Sequence, residues 1–221
     1  MSASDRRVIV VGCGSIGRRH ARLLARRPGL ALELCDVSAD NLKRAIDETG
    51  PRVTHASFAA ALASRPEMVV IATPHGQHAD QAVRALNAGC HVLCEKPMSD
   101  TLAGARRMLA AAQASGKVFS VGFNQHFNPA MRQVRDAIRS GELGHVLHVH
   151  WHVGTYITLL NSGSRYQSTM ECALFLDYVH QPDLLYWWLG RRPSAVYTAG
   201  FRGGDLPLQS NPNVAAVTME Y

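Results

Sequence analysis

Apolar positions along the chain follow two rhythms, and they change near residue 123. Up to that point, short continuous apolar runs alternate with stretches of helical spacing. Val8–Val11, Leu32–Cys35, Met68–Ala72, Cys90–Cys94 and Val118–Val121 read as strands. Between them, Ile16, His20, Leu23 and Leu24, then Leu42, Ala45 and Ile46, recur at helical intervals. Ala79, Ala82, Val83 and Leu86 mark a further helix, as do Leu102, Ala105, Met108, Leu109 and Ala112. Strands without polar alternation are covered on both faces, so this βαβα order predicts a doubly wound parallel sheet.

Beyond residue 123 the pattern predicts an α+β region. Met131, Val134 and Ile138 define a helix starting near Pro129. Val146–Val153 alternates strictly, with Leu147, Val149, Trp151 and Val153 on one face and His148, His150 and His152 on the other. That is the pattern of a half-buried strand in a mixed or antiparallel open sheet. A nearly all-apolar helix is expected near Thr169–Leu189, and strands at Ala195–Phe201 and Val214–Tyr221. The resulting division is 1–122 for the parallel α/β domain and 123–221 for the second domain. The last strand runs to the final residue, which suggests that the second domain is truncated.

Composition narrows the class. With 47% hydrophobic and 18% charged residues, the chain reads as globular, and it shows no signal peptide or membrane span. A cytoplasmic protein is expected. The net charge of +6 comes from scattered arginines. The densest group, Arg18, Arg19, Arg22, Arg26 and Arg27, reads as a solvated helix face. The aromatic and basic interleaving of a nucleic-acid module is absent. Five cysteines, with no Cys-x-x-Cys pair, read as reduced and buried thiols. A strand would send His91 to the face opposite Cys90 and Cys94, which argues against a zinc site there. The row His148, His150 and His152 reads as a polar sheet face, and no metal is expected.

The first candidate chemistry is Gly12-Cys13-Gly14-Ser15-Ile16-Gly17, a G-x-G-x-x-G turn between a strand and a helix. Gly12 permits the tight turn, Gly14 lets the backbone approach a pyrophosphate, and Gly17 lets helix and strand pack closely. The N–H groups at the helix start, from Ser15 and Ile16 onward, then meet phosphate charge. Asp36 ends the next strand, where a carboxylate binds adenine ribose hydroxyls and repels a 2′-phosphate. NAD is therefore favoured over NADP. The turn alone also fits a methyltransferase or a turn with no ligand. His20, on the apolar side of the helix, reads as a packing histidine.

Glu95-Lys96-Pro97 follows a parallel strand, at the sheet end where ligands of open α/β sheets bind. Further on, Asp177, His180 and Asp183 recur at i, i+3 and i+6 in the apolar helix. On such a helix, buried polar groups find partners or face a cavity. His180 is the functional candidate of the three, and Asp183 either binds substrate or anchors the helix.

Together with Arg18-Arg19-His20, Ala72-Thr73-Pro74, His78 and Val121-Gly122-Phe123-Asn124, these motifs resemble the Gfo/Idh/MocA oxidoreductase family. The resemblance runs from residue 8 to about residue 190. It implies a Rossmann domain that binds NAD(P), followed by a substrate domain whose open sheet often forms an oligomer interface. It further implies hydride transfer between a nicotinamide and a carbinol of a sugar, cyclitol or sugar nucleotide. In that scheme Lys96 and His180 flank the carbinol. His180 takes its proton, Lys96 stabilises its oxygen, and Asp177 binds substrate or tunes the two. Thr73, Pro74, His78, Glu95 and Asn124 match positions lining the cofactor. A homo-oligomer is implied if the second domain is complete, with no nucleic-acid or membrane partner.

The chain departs from the family in four places. It has Glu171-Cys172-Ala173 for a glycine run, and Gln125-His126 where many members carry an arginine. Asp177 precedes His180 by three residues rather than the commoner four, and Pro182 should kink the helix just after His180. A non-catalytic NAD-binding relative and an NAD-using lyase, epimerase or glycosidase remain open alternatives.

Overall fold

The computed structural model describes residues 5–50, 52–154, 173–204 and 212–221. They fall into two compact units, residues 1–122 and 123–221.

The first unit is a six-stranded parallel sheet in the order β3-β2-β1-β4-β5-β6. Its strands are β1 (Arg6–Val11), β2 (Leu30–Cys35), β3 (Val53–His55), β4 (Met68–Ile71), β5 (His91–Cys94) and β6 (Phe119–Val121). Its helices are α1 (Ser15–Ala25), α2 (Ala39–Thr49), α3 (Phe58–Ala63), α4 (His78–Asn87) and α5 (Leu102–Ser115). The doubly wound expectation holds, and the burial shows why. Ile9, Val11, Val69, Ile71, Val92 and Cys94 pack on one face with Ala82, Leu86 and Met108. Val8, Val10, Leu32, Leu34 and Val70 pack on the other with Ala21 and Ala45. Full burial of each large aliphatic side chain contributes about 1.5–3 kcal/mol. Strand order reverses between β1 and β4, which places the ligand crevice of such sheets at their carboxyl ends.

β3 and α3 carry no signal in the hydrophobic pattern. A strand of three residues with exposed Val53 and Thr54 is too short to display a period.

The second unit contains α6 (Pro129–Arg139), α7 (Ala173–Asp177), α8 (His180–Leu189), β7 (Ala195–Phe201) and β8 (Val214–Glu220). β7 and β8 pair antiparallel, from Ala195 opposite Glu220 to Phe201 opposite Val214. Three expectations are corrected here. First, residues 146–153 form no strand. Alternation supplies a face but not a partner, and among the described residues β7 and β8 are paired only with each other. Trp151 still packs, with its ring 5.4 Å from that of Trp188, while Leu147 is 89% exposed. Second, the long helix is interrupted at Tyr178 and Val179, before His180 rather than after it. Pro182 has no N–H for the carbonyl four residues back, that of Tyr178, and its ring crowds it; in the first turn of α8 that loss is tolerated. The expected residues 169–172 lie outside the described residues. Third, α8 is buried on one side only, through Leu184 and Trp188, with Tyr186 51% exposed. Among the described residues no helix is long and apolar enough to cross a membrane.

Candidate functional site

The glycine turn owes two of its three glycines to contacts within the chain. Gly12 has φ +87°, and a Cβ there would stand 2.6 Å from the Ala72 carbonyl oxygen. The end of β1 therefore lies hard against the end of β4. A Cβ at Gly17 would collide with the Gly12 carbonyl. Gly14 is different: its φ is an ordinary −66°, and a Cβ there would meet nothing within 4 Å. Packing within the chain does not call for glycine at this position.

Helix capping also sets this turn apart. α2, α3 and α5 are capped by the hydroxyls of Ser38, Ser57 and Thr101. α1 begins at Gly14 with no side-chain cap and no acid in its first turn. Its N–H groups and positive dipole end suit an anion. Asp36 braces the turn: Oδ2 accepts from the Cys13 N–H at 2.7 Å and from Asn41 Nδ2 at 3.1 Å. Its Oδ1 accepts from the Ser38 N–H at 2.8 Å. The residues present thus fit a dinucleotide. Cys13 is buried inside the turn. Burial, reinforced by the Asp36 charge, pushes its thiol up to about 12, so it stays protonated and inert. Arg18 and Arg22 both pair with Glu48 on α2, at 2.9 and 2.6 Å.

Thr73 and Pro74 follow β4, and the Thr73 hydroxyl donates to Gln81 Oε1 at 2.7 Å. His78 is placed in the interior, only 1% exposed. Its Nδ1 lies 2.8 Å from the Pro97 carbonyl oxygen and its Nε2 2.8 Å from that of Thr73. The ring ties the segment after β4 to the segment after β5.

That second segment carries Glu95, Lys96 and Pro97, with a cis peptide between the last two. Glu95 Oε1 lies 2.6 Å from Nε2 of His20 on α1, and Oε2 accepts from the Lys96 N–H at 3.2 Å. Burial alone would raise the Glu95 carboxyl. The hydrogen bond and charge of His20, with the N–H and ammonium of Lys96, outweigh it and hold the group below the usual carboxylate range. Because the carboxylate is ionised, His20 Nε2–H is the donor. Residue pattern alone reads His20 as a packing side chain. Its signal was the need of a half-buried imidazole for a partner, and that partner lies 75 residues away.

In the second unit, Asp177 ends α7 and His180 starts α8, one on each side of the break. They do not share a stripe of one continuous helix. The Phe123 ring meets His180 edge-on at 5.9 Å. Asp183 anchors His126, Oδ2 to Nε2 at 2.7 Å. Burial raises the Asp183 carboxyl above its ordinary value, and His126 and His180 only partly offset this. The His126 ring stacks on Trp187 at 4.4 Å, and the Arg135 guanidinium lies 4.4 Å from the centre of the Trp187 ring. His126 was visible in the sequence only as a departure from arginine. Asn124 is exposed, at the start of the short 3₁₀ turn Asn124–Phe127. Among the described residues no cluster of His, Cys, Asp or Glu could hold a metal. The rings of His148 and His150 lie edge to face at 6.4 Å.

A glycine turn at the β1–β4 switch point, an acid after β2 and a lysine turn after β5 define a dinucleotide-binding Rossmann domain. Residues 6–123 match the family model described as "Oxidoreductase family, NAD-binding Rossmann fold", and residues 131–221 match the GFO/IDH/MocA C-terminal domain. The chain belongs to the Gfo/Idh/MocA family. It is 32% identical over 214 residues to an inositol 2-dehydrogenase of Gluconacetobacter diazotrophicus, covering 93% of this chain and 61% of the relative. The WlbA dehydrogenase of Bordetella pertussis, solved with NADH and UDP-GlcNAcA, superposes with a TM-score of 0.81 at 26% identity. That match covers 97% of this chain and 68% of WlbA. The scyllo-inositol dehydrogenase of Lactobacillus casei shares the fold, with a TM-score of 0.83 at 22% identity over 97% of this chain and 65% of its own.

Proposed function

We propose that the chain acts in an NAD-dependent dehydrogenase that oxidises or reduces a carbinol of a cyclitol, sugar or sugar nucleotide. The observation that carries this reading is the junction of His20, Glu95 and Lys96, which ties the lysine turn to the helix opened by the glycine turn. Gly14, Ser15, Ile16 and Asp36 would hold the dinucleotide, with Thr73, Pro74, Glu95 and Asn124 beside it and His78 fixing the surrounding loops. Bound nicotinamide supplies the hydride acceptor. Lys96 holds the carbinol oxygen and stabilises charge that develops on it. His180 takes the hydroxyl proton as general base, a contribution of typically ~10²–10⁴-fold. Asp177 binds substrate or tunes His180. The domain boundary at 122/123, a substrate-binding and self-associating second domain, and a homo-oligomer belong to the same proposal. So does a cytoplasmic location, which agrees with the free, buried thiols of Cys13, Cys35, Cys90 and Cys94.

The test is a two-stage assay on the purified chain. NADH binding is followed by fluorescence, and a panel of cyclitols and sugars is then screened for NAD reduction. The reading predicts binding in the wild type, Lys96→Ala and His180→Ala alike, with turnover confined to the wild type. Binding with no turnover across the panel would instead mark a non-catalytic NAD-binding protein. Product formed without net NADH would mark a lyase or epimerase.

A further inference from the structure

We infer that His20 is a positioning residue for Lys96, acting through the Glu95 carboxylate, and that it couples the cofactor helix α1 to the lysine turn. The inference rests on the dehydrogenase reading and deepens it.

His20 lies three residues after Gly17, on the α1 face that packs toward the sheet through Gly17 and Ala21. Its side chain is 22% exposed and that of Glu95 is 19% exposed. The two carboxylate oxygens have separate partners: Oε1 faces His20 Nε2, and Oε2 receives the Lys96 N–H. Behind the carboxylate stands Gly122, at the end of β6, where a Cβ would come within 2.9 Å of Oε2. The carboxylate is thus fixed by a donor on each oxygen and by backbone behind it. Because Oε2 holds the N–H of the next residue, the orientation of the Glu95 side chain fixes the peptide plane from which Lys96 departs.

His20 supplies the one contact in this chain of contacts that originates on the cofactor helix. An apolar side chain of similar size would fill the same space and leave a half-buried carboxylate short of a donor. Such a group rotates toward water or takes up a proton. Either response loosens its hold on the Lys96 N–H. A purely packing histidine predicts the opposite, that shape matters and the donor does not. Displacing a catalytic group by about 1 Å can cost roughly 10²-fold in rate.

The chain has only three lysines, Lys43, Lys96 and Lys117, so Lys96 can be observed directly. Reductive methylation with a carbon-13 label gives each lysine its own NMR signal, and loss of one in Lys96→Arg assigns it. The experiment compares wild type, His20→Leu, His20→Gln and Glu95→Gln. The account expects the Lys96 signal to move or broaden in His20→Leu and Glu95→Gln, with Lys43 and Lys117 unchanged. His20→Gln, which restores an amide donor, returns the signal toward wild type. In the cyclitol assay His20→Leu lowers kcat by roughly 10²-fold, with a much smaller change in KM for NAD, and His20→Gln recovers most of the loss. A Lys96 signal that is the same in His20→Leu as in wild type overturns the proposal, as does a His20→Gln variant no better than His20→Leu. If His20→Leu does not fold, Glu95→Gln and His20→Gln decide: an unmoved Lys96 signal in Glu95→Gln is then the contrary result. The NMR arm needs no turnover. A wild type that binds NADH but oxidises nothing would sink the dehydrogenase reading and leave the coupling separately measured.

Discussion

The two units each hold a histidine–carboxylate pair of nearly the same geometry, and the two pairs behave oppositely. In the first, His20 and Glu95 meet at 2.6 Å, and in the second, His126 and Asp183 meet at 2.7 Å. Glu95 is held below the ordinary carboxylate range and Asp183 is raised above it. The difference lies in what else each carboxylate touches. Glu95 gains a backbone N–H and a neighbouring ammonium from Lys96, enough to outweigh burial. Asp183 has the charges of His126 and His180 against its burial, and burial wins. A salt-bridge distance therefore does not by itself fix the direction in which its carboxyl shifts. The surrounding donors decide it. The contrast extends to packing. The first unit is a sheet covered on both faces, and the second exposes Val196, Tyr197, Phe201 and Val217 on its strand pair.

The strongest way to break the comparison is at Gly12. An alanine there must adopt the φ of +87° and push against the Ala72 carbonyl, a backbone atom that cannot step aside. The conformational cost alone is roughly 1–3 kcal/mol, and each kcal/mol lowers the Tm of a domain this size by roughly 4 °C. Circular dichroism should show the first unit melting early. All three tryptophans, Trp151, Trp187 and Trp188, lie in the second unit, so their fluorescence reports whether that unit is spared. Gly14→Ser is the counterpart. Serine caps a helix well, and its Cβ enters open space. The melt should stay at the wild-type temperature while NADH affinity falls. Equal destabilisation by both substitutions would contradict the separation of packing glycines from a ligand-facing one.

A smaller effect sharpens the comparison through pH. A group lowered on folding, such as Glu95, gives stability that is present above its unfolded value and lost as pH falls through the folded one. A carboxyl raised on folding, such as Asp183, does the reverse: stability declines as pH rises from the ordinary aspartate value, about 4, to the raised one. Glu95→Gln should therefore flatten the acid limb of the first unit. Asp183→Asn should remove a loss of stability on the upward side in the second, read by tryptophan fluorescence. If both substitutions change the acid limb with the same sign, the two pairs are not opposites.

What could be read from the sequence divides along the same line. The parallel sheet, the glycine turn and Asp36 were legible because their constraints are local: strand, turn, helix and acid follow one another along the chain. His20 was not, because its meaning depends on Glu95, across two layers of the fold. The short β3 was too brief to carry a period. At 146–153 the alternation was real, but a strand also needs an edge to pair with, which no pattern within the segment reveals. Pro182 signals a disturbed helix from sequence alone. Its effect falls upstream, on the Tyr178 carbonyl, so that Asp177 and His180 end and begin different helices. His126 stands out in the sequence only as a departure from the family's arginine, since only the fold brings Asp183 and Trp187 to it.

The central claim is hydride transfer from a carbinol carbon to NAD, and one measurement addresses it directly. The chain is incubated with NAD and a cyclitol or sugar substrate found in the turnover screen, deuterated at the carbinol carbon, and the reduced cofactor is analysed by mass spectrometry. The account predicts that deuterium appears in the NADH of the wild type and not with Lys96→Ala. Deuterium that stays in the sugar or is lost to water, with no label in the cofactor, would contradict it.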